Sequence, residues 1–375
     1  MSRVVVLGGG YAGLACLIDL CKKDKSLDLH LVDAATSHCK ITNLHKTFRD
    51  PVKKFSVDYA ELADRYNFIF HHQPLRFTHE DLNQWQQEKS IPVSPAGLPF
   101  DWLIVSTGAA PVKLPGAKTD FGQNELRRGK GRALLEHLVD EWQEQAVQIS
   151  LVGGGATGIQ VLFELHEQLR RREVPNQIRL IDLNPRLIAN LPEGVHKYIA
   201  RKMQRAGIDY LPQTRLLGQN EKEIQLEEAA TGRTYALPSD LTLQFPGVTA
   251  TPFILEANAY GQVLNQGQLL PDIFTAGDCS KFHSAGLNFL TAQAAVRKGK
   301  LVARNISRLH GGQLPLKYRY REKGYLISLG STDAIGWVGL RRNLVKGFPA
   351  SILKEAMETQ YDLFLDGIDT YIDFP

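Results

Sequence analysis

Short, nearly unbroken apolar runs alternate with amphipathic stretches along most of this chain, and two of the runs end at a glycine. Val4-Val5-Val6-Leu7 stops at Gly8, and Ile149-Ser150-Leu151-Val152 stops at Gly153. Runs that are apolar at nearly every position, instead of every second one, mark parallel strands covered on both faces. Each is followed by a helix-like segment and then a second strand, His30-Leu31-Val32 in one case and Arg179-Leu180-Ile181 in the other. The pattern predicts an α/β protein with two doubly wound, Rossmann-like units. Further strands are expected at 100–105, 208–211, 224–226, 241–243 and 270–275, and helices at 133–142, 193–206 and 291–308. Tyr325-Leu326-Ile327-Ser328-Leu329 predicts one more strand, in a tail that begins near Gly311 and stands apart.

Both strand ends carry the spacing G-x-G-x-x-G, as Gly8, Gly10 and Gly13 and again, 145 residues later, as Gly153, Gly155 and Gly158. The first glycine turns the chain tightly out of the strand. The second leaves room for a pyrophosphate, and the third lets helix and strand pack closely. Amides at the helix N-terminus then hold phosphate. Each unit also needs an acid at the end of its second strand to accept ribose hydroxyls. Asp33 and Asp182 stand there, 20 residues past Gly13 and 24 past Gly158. Two complete fingerprints imply two adenine dinucleotides, and hence electron transfer. A carboxylate at Asp182 repels a 2′-phosphate and favours NADH over NADPH, although Arg186 is close enough in sequence to soften that preference.

Composition narrows the remaining chemistry. With 375 residues and 43% hydrophobic content the chain builds a packed core, and a net charge of +4 with scattered basic residues does not point to nucleic acid. No apolar run approaches the roughly 18 residues that span a bilayer, so a cytoplasmic protein without a transmembrane helix is expected. Cys16, Cys21, Cys39 and Cys279 lack metal-ligand spacing, and no metal is expected; His38, His71, His72 and His283 read as surface or packed side chains. Cys16 and Cys21 form C-x4-C, but positions five apart on a helix point about 140° from each other, too far for a disulfide.

Beyond the glycines, Phe100-Asp101-Trp102-Leu103-Ile104-Val105-Ser106-Thr107-Gly108 with Pro115-Gly116, and Asp272-Ile273-Phe274-Thr275-Ala276-Gly277-Asp278, resemble the second and third flavin motifs of the two-dinucleotide-binding flavoproteins. That resemblance implies an FAD domain, 1–112 and 255–310, interrupted by an NAD(P)H domain, 113–254, with a small C-terminal domain at 311–375. It places FAD at Gly8, Gly10, Gly13, Asp33, Thr107, Gly108, Gly277 and Asp278, and NADH at Gly153, Gly155, Gly158 and Asp182. Within that superfamily, Gly8-Gly9-Gly10-Tyr11-Ala12-Gly13-Leu14, Gly153-Gly154-Gly155-Ala156-Thr157-Gly158 and Ala292-Gln293-Ala294-Ala295 are similar to segments of the type II NADH dehydrogenases, membrane-surface NADH:quinone oxidoreductases. The stretch from Lys346 to Leu353 looks like the start of that group's membrane-binding tail. The chain departs from the group at Gln160, where a glutamate is usual, and at Arg297, where the quinone motif normally has glutamine.

The resemblance implies that hydride passes from NADH to FAD, and electrons then pass to a quinone-like acceptor. Because the reduced ring is anionic, a helix N-terminus at its pyrimidine end is expected, with Thr291 as cap and the amides of Ala292 and Gln293 left free. Gln160 is expected at the nicotinamide side and Gln293 at the acceptor side. Trp337, Val338, Leu340, Leu344, Val345 and Phe348 alternate with Arg341, Arg342 and Lys346, a composition that suits an anionic membrane surface, a homodimer interface or the cover of a small sheet. The last helix, with Lys354, Glu355, Glu358 and Asp362 among apolar residues, reads as amphipathic. Peripheral contact with the inner face of the plasma membrane follows from the first of these readings. Two alternatives remain: a soluble reductase of a small redox protein such as a ferredoxin or rubredoxin, and a slow-turnover flavoprotein sensor of NADH.

Overall fold

The computed structural model describes residues 1–112, 114, 121–142 and 145–371; Pro115 and Gly116 of the second motif lie outside them. The chain divides into two compact units, each built from three stretches. The first comprises Met1–Cys39, Ser56–Ala110 and Val248–Glu322, and the second Lys40–Phe55, Pro111–Gly247 and Lys323–Pro375. The C-terminal tail therefore groups with the second unit, where the sequence suggested a separate domain.

The first unit is organised on an eight-stranded sheet. Its parallel part runs Ile69–His72, Leu27–Asp33, Ser2–Leu7, Trp102–Val105 and Gln268–Thr275, the strand order of a doubly wound nucleotide-binding fold. Val4, Val5 and Val6 are fully buried, as expected for a strand covered on both faces. Helices Tyr11–Lys23 and Ala292–His310 pack so tightly that a Cβ on Gly299 would sit 2.1 Å from the Ala12 carbonyl oxygen. Only glycine permits that approach.

The second unit repeats the arrangement with five parallel strands in the order Phe121–Gly122, Leu241–Gln244, Val147–Val152, Asn176–Ile181 and Asp209–Leu211. An antiparallel sheet of Thr214–Gln219, Glu223–Glu228 and Thr234–Pro238 is inserted after the last of these, and it contains the expected strand at 224–226. The tail adds a three-stranded antiparallel sheet, Gly324–Ser328, Ala334–Val338 and Leu344–Gly347, followed by helix Phe348–Leu365.

Two features of the tail bear on the readings left open above. Trp337, paired with Leu344 across the small sheet, is buried and is not presented to a surface. On the charged side of the last helix Lys354 and Glu358 are nearly buried, while Glu355 and Asp362 stay about half exposed. Lys46 Nζ bonds Glu355 Oε1 and Glu358 Oε2, both at 2.7 Å, and Lys40 Nζ bonds Asp362 Oδ1 at 2.7 Å. Part of the polar side of this helix is thereby paired with Lys40 and Lys46. Phe348, Ile352 and Leu353 are left exposed at 61%, 54% and 41%.

Candidate functional site: two nucleotide cradles

In the first unit, strand Ser2–Leu7 ends at Gly8, whose φ of +102° is a conformation that favours glycine. A Cβ on Gly8 would lie 2.5 Å from the Ser106 carbonyl oxygen, and one on Gly13 would lie 1.9 Å from the Gly8 carbonyl oxygen. A Cβ on Gly10 would meet nothing within 4 Å. Gly10 precedes helix Tyr11–Lys23 and offers no side-chain cap, so the first-turn amides remain for a ligand.

The second unit reproduces each of these features. Gly153 has φ +109°, with a Cβ position 2.1 Å from the Phe245 carbonyl oxygen; on Gly158 it would lie 2.0 Å from the Gly153 oxygen, and on Gly155 it is open. Helix Ala156–Arg171 likewise begins without a side-chain cap. In both units the first and third glycines are closed by backbone, while the middle one faces space. That is the shape a pyrophosphate requires, so both cradles fit an adenine dinucleotide.

The acids are held alike. Gly9 N donates to Asp33 Oδ2 at 2.6 Å and Ala35 N to Asp33 Oδ1 at 2.7 Å. Gly154 N donates to Asp182 Oδ2, and Asn184 N to Asp182 Oδ1 at 2.6 Å. Each carboxylate is fixed by the amide inside its own glycine turn, and Asp33 Oδ1 and Asp182 Oδ2, which accept one bond each, keep a lone pair for a ribose hydroxyl. Arg186 points elsewhere, its guanidinium donating to the Ala189 and Leu191 carbonyls. Those bonds go to backbone carbonyls and not to Asp182.

Around the first cradle, Thr107 Oγ1 donates to the Thr251 carbonyl, and Thr251 N donates to the Gly108 carbonyl at 3.1 Å. Gly108 has φ +71° and Gly277 +87°, and the Gly277 Cβ position lies 3.0 Å from Ala12 Cβ at the start of the first helix. Beside it, burial pushes the Asp278 carboxyl up to about 6, against the pull of Lys298. Thr291 Oγ1 accepts from Ala294 N at 3.1 Å, the expected cap. The amides of Ala292 and Gln293 have no hydrogen-bond partner among the described residues. In the second unit, Gln160 is nearly buried and its Oε1 accepts from Ser328 N at 3.4 Å, which ties it to the small tail sheet.

Several supporting residues carry no legible sequence signal. Tyr59 OH donates to the Gly9 carbonyl at 2.8 Å, bracing the first turn, and Ser106 Oγ donates to the Gly8 carbonyl at 2.8 Å. Lys298 is buried, its Nζ donating to Ser280 O at 2.8 Å and Oγ at 3.0 Å, and burial draws its pKa down to about 8 despite nearby Cys279 and Asp278. Glu164, one helical turn beyond Gln160, is fully buried, with Arg49 Nη1 3.2 Å from its Oε2; burial raises its pKa.

Cys16 and Cys21 are free and buried, and burial raises both thiols, Cys21 to about 12. Among the described residues no group of three or more His, Cys, Asp or Glu can hold a metal ion.

Fold and cradles together define a two-dinucleotide oxidoreductase architecture. A family profile described as pyridine nucleotide-disulphide oxidoreductase matches residues 2–299, and the chain belongs to that family. The type II NADH:quinone oxidoreductase of Staphylococcus epidermidis is 26% identical over 98% of this chain and 96% of its own; that of Staphylococcus aureus is 23% identical over the same shares. Among solved structures, the sulfide:quinone oxidoreductase of Aquifex aeolicus matches with a TM-score of 0.79 and 17% identity over 100% of this chain and 94% of its own. NDH2 of Plasmodium falciparum in complex with NADH also gives 0.79, at 14% identity over 96% and 94%. These solved structures share the fold.

Proposed function

We infer that this chain is an FAD-dependent NADH:quinone oxidoreductase working without a redox disulfide. The balanced reaction takes NADH, one solvent proton and a quinone to NAD+ and quinol. The observation that carries the reading is the pair of cradles, each with two glycines closed by backbone, one open, and an acid anchored in its own turn. The near full-length likeness to type II NADH:quinone oxidoreductases supplies the acceptor class.

FAD, when bound, supplies a ring that accepts hydride and releases electrons. Gly8, Gly10, Gly13 and Asp33 would hold its adenosine diphosphate part, with Thr107, Gly108, Gly277 and Asp278 beside the remainder. Gly153, Gly155, Gly158 and Asp182 would hold NADH, and the Asp182 carboxylate disfavours NADPH. The free amides of Ala292 and Gln293, at the start of a 19-residue helix, supply positive potential to an anionic ring. Gln293 serves the acceptor side and Gln160 the nicotinamide side. Buried, unpaired thiols at Cys16 and Cys21 send the electrons outward instead of into a disulfide.

The membrane surface is the site of the reaction in this reading. No helix among the described residues is long and apolar enough to cross a bilayer. Exposed Phe348, Ile352 and Leu353, on a helix whose acids pair with Lys40 and Lys46, suit shallow insertion at an interface. The test is anaerobic titration with NADH followed by a soluble quinone. Flavin absorbance should bleach with NADH and return with quinone at turnover rates; bleaching without return would remove the quinone assignment.

A further inference from the structure

Helix Glu193–Arg205 of the second unit turns one side toward an open cavity of about 390 Å3 lined by Tyr198, Arg201, Lys202, Arg205, Asp333 and Lys346. Positions 198, 201, 202 and 205 follow the three- and four-residue spacing of one helix face. Four cations against one carboxylate give the lining a formal charge of +3.

That carboxylate is already engaged. Asp333 accepts from Tyr198 OH at 3.1 Å and from Lys202 Nζ, and Lys202 also donates to the Leu329 carbonyl at 2.9 Å. Lys202 is thereby fixed at the wall. Arg201, Arg205 and Lys346 enter no hydrogen bond or ion pair among the described residues. Three like charges around one cavity repel one another, and an anion relieves that cost. Guanidinium groups match phosphate oxygens in pairs, and an ammonium adds a point charge.

The rim indicates which phosphate. Lys346 lies on strand Leu344–Gly347, where Val345 packs into the tail core and the alternate positions, Leu344 and Lys346, share the opposite face. Leu344 lies against the same helix, its Cδ1 within 2.3 Å of the position a Cβ on Gly194 would take. Yet Leu344 remains 40% exposed, and Leu340 and Phe348 nearby in sequence are more so. Cations in a cavity beside apolar side chains left in water match a molecule with a phosphate and a hydrocarbon end.

We propose that this cavity binds the phosphate of an anionic lipid headgroup while the apolar rim enters the bilayer surface, a site that rests on the membrane reading above. The ligand chemistry is a phosphate ester, and the lipid is its source. The test uses the FAD-loaded full chain and vesicles of phosphatidylcholine with or without phosphatidylglycerol. The proteins compared are wild type, Arg201→Gln/Arg205→Gln, and Arg341→Gln/Arg342→Gln as a charge-matched neighbour. The cavity variant should bind phosphatidylglycerol vesicles roughly 10- to 100-fold more weakly, and the neighbour variant should lose clearly less. NADH should bleach the flavin equally in all three.

Equal losses in the two variants would reduce the effect to diffuse charge and overturn the site. Unchanged binding by the cavity variant would overturn the site and leave the membrane reading standing. Wild type that ignores both vesicle types overturns the membrane reading and the lipid source together. In that case calorimetry with inorganic phosphate, lost in the cavity variant, would identify a soluble phosphate ester instead.

Discussion

Asp182 and Asp278 show how a single carboxylate is given its task by its surroundings. Asp182 is anchored through Gly154 and Asn184, with Arg186 bonded elsewhere, and in the proposed NADH site it would accept from the nucleotide ribose. Asp182→Asn should lower kcat/KM for NADH about 10- to 100-fold, the size of a lost charge-assisted hydrogen bond, and lower that for NADPH much less. Steady-state rates with both nucleotides check this. Asp278 is different, because burial raises its pKa from 3.8 to about 6. Below pH 3.8 both folded and unfolded chains hold this proton; between 3.8 and about 6 only the folded chain does. FAD-free protein should therefore lose stability as pH rises through that window and level off above it. Asp278→Asn removes this contribution, so a melting-temperature profile that keeps the same slope from pH 4 to pH 6 would refute the assignment.

Glycine turns, as elements, separate folding from binding. Gly10→Ala and Gly155→Ala place a methyl in open space, so each should fold normally while weakening FAD or NADH respectively. Gly13→Ala and Gly158→Ala drive a methyl into backbone within about 2 Å and should destabilise the chain by about 1–3 kcal/mol or more. Denaturant unfolding beside nucleotide titration distinguishes the two classes; parallel effects in both would contradict them. Helix Ala292–His310 carries a second prediction. Gln293→Trp should slow flavin reoxidation by quinone more than reduction by NADH in stopped flow, and equal slowing would move Gln293 away from the acceptor. The turns and the Thr291 cap were legible because their chemistry is local in sequence. Tyr59, Thr251 and Lys298 were not, since each reaches its partner through tertiary folding. The last helix is amphipathic as its sequence indicates, but that Lys40 and Lys46 pair with its acids is a tertiary fact that no local pattern carries.

At the scale of the whole molecule, duplication is the organising fact. Two doubly wound sheets, each with the same turn and the same anchored acid, follow from two apolar runs that end at glycine. The two strand–turn–helix units were readable from those runs, because a strand covered on both faces leaves an apolar record, whereas strand Ile69–His72 and the helices at 59–66 and 79–88 left no such record. The grouping of the chain was harder, since residues 40–55 and 323–375 join the second unit through ion pairs and packing that no local pattern encodes. The exposed apolar side of the last helix belongs to this scale too. Phe348→Ser/Ile352→Ser should release the protein from phosphatidylglycerol vesicles in sedimentation while leaving NADH reduction of the flavin intact; full retention would count against the membrane contact. The central claim is that electrons enter from NADH at one cradle and leave to a quinone without a disulfide between. The most direct measurement is a stopped-flow record of the protein-bound flavin, mixed anaerobically with NADH and then with a soluble quinone. Rapid bleaching by NADH, recovery on quinone addition and no thiol consumed across the cycle are predicted. A flavin that bleaches but recovers only with a disulfide or an oxidised iron-sulfur protein, or a protein that binds no flavin, would contradict the account.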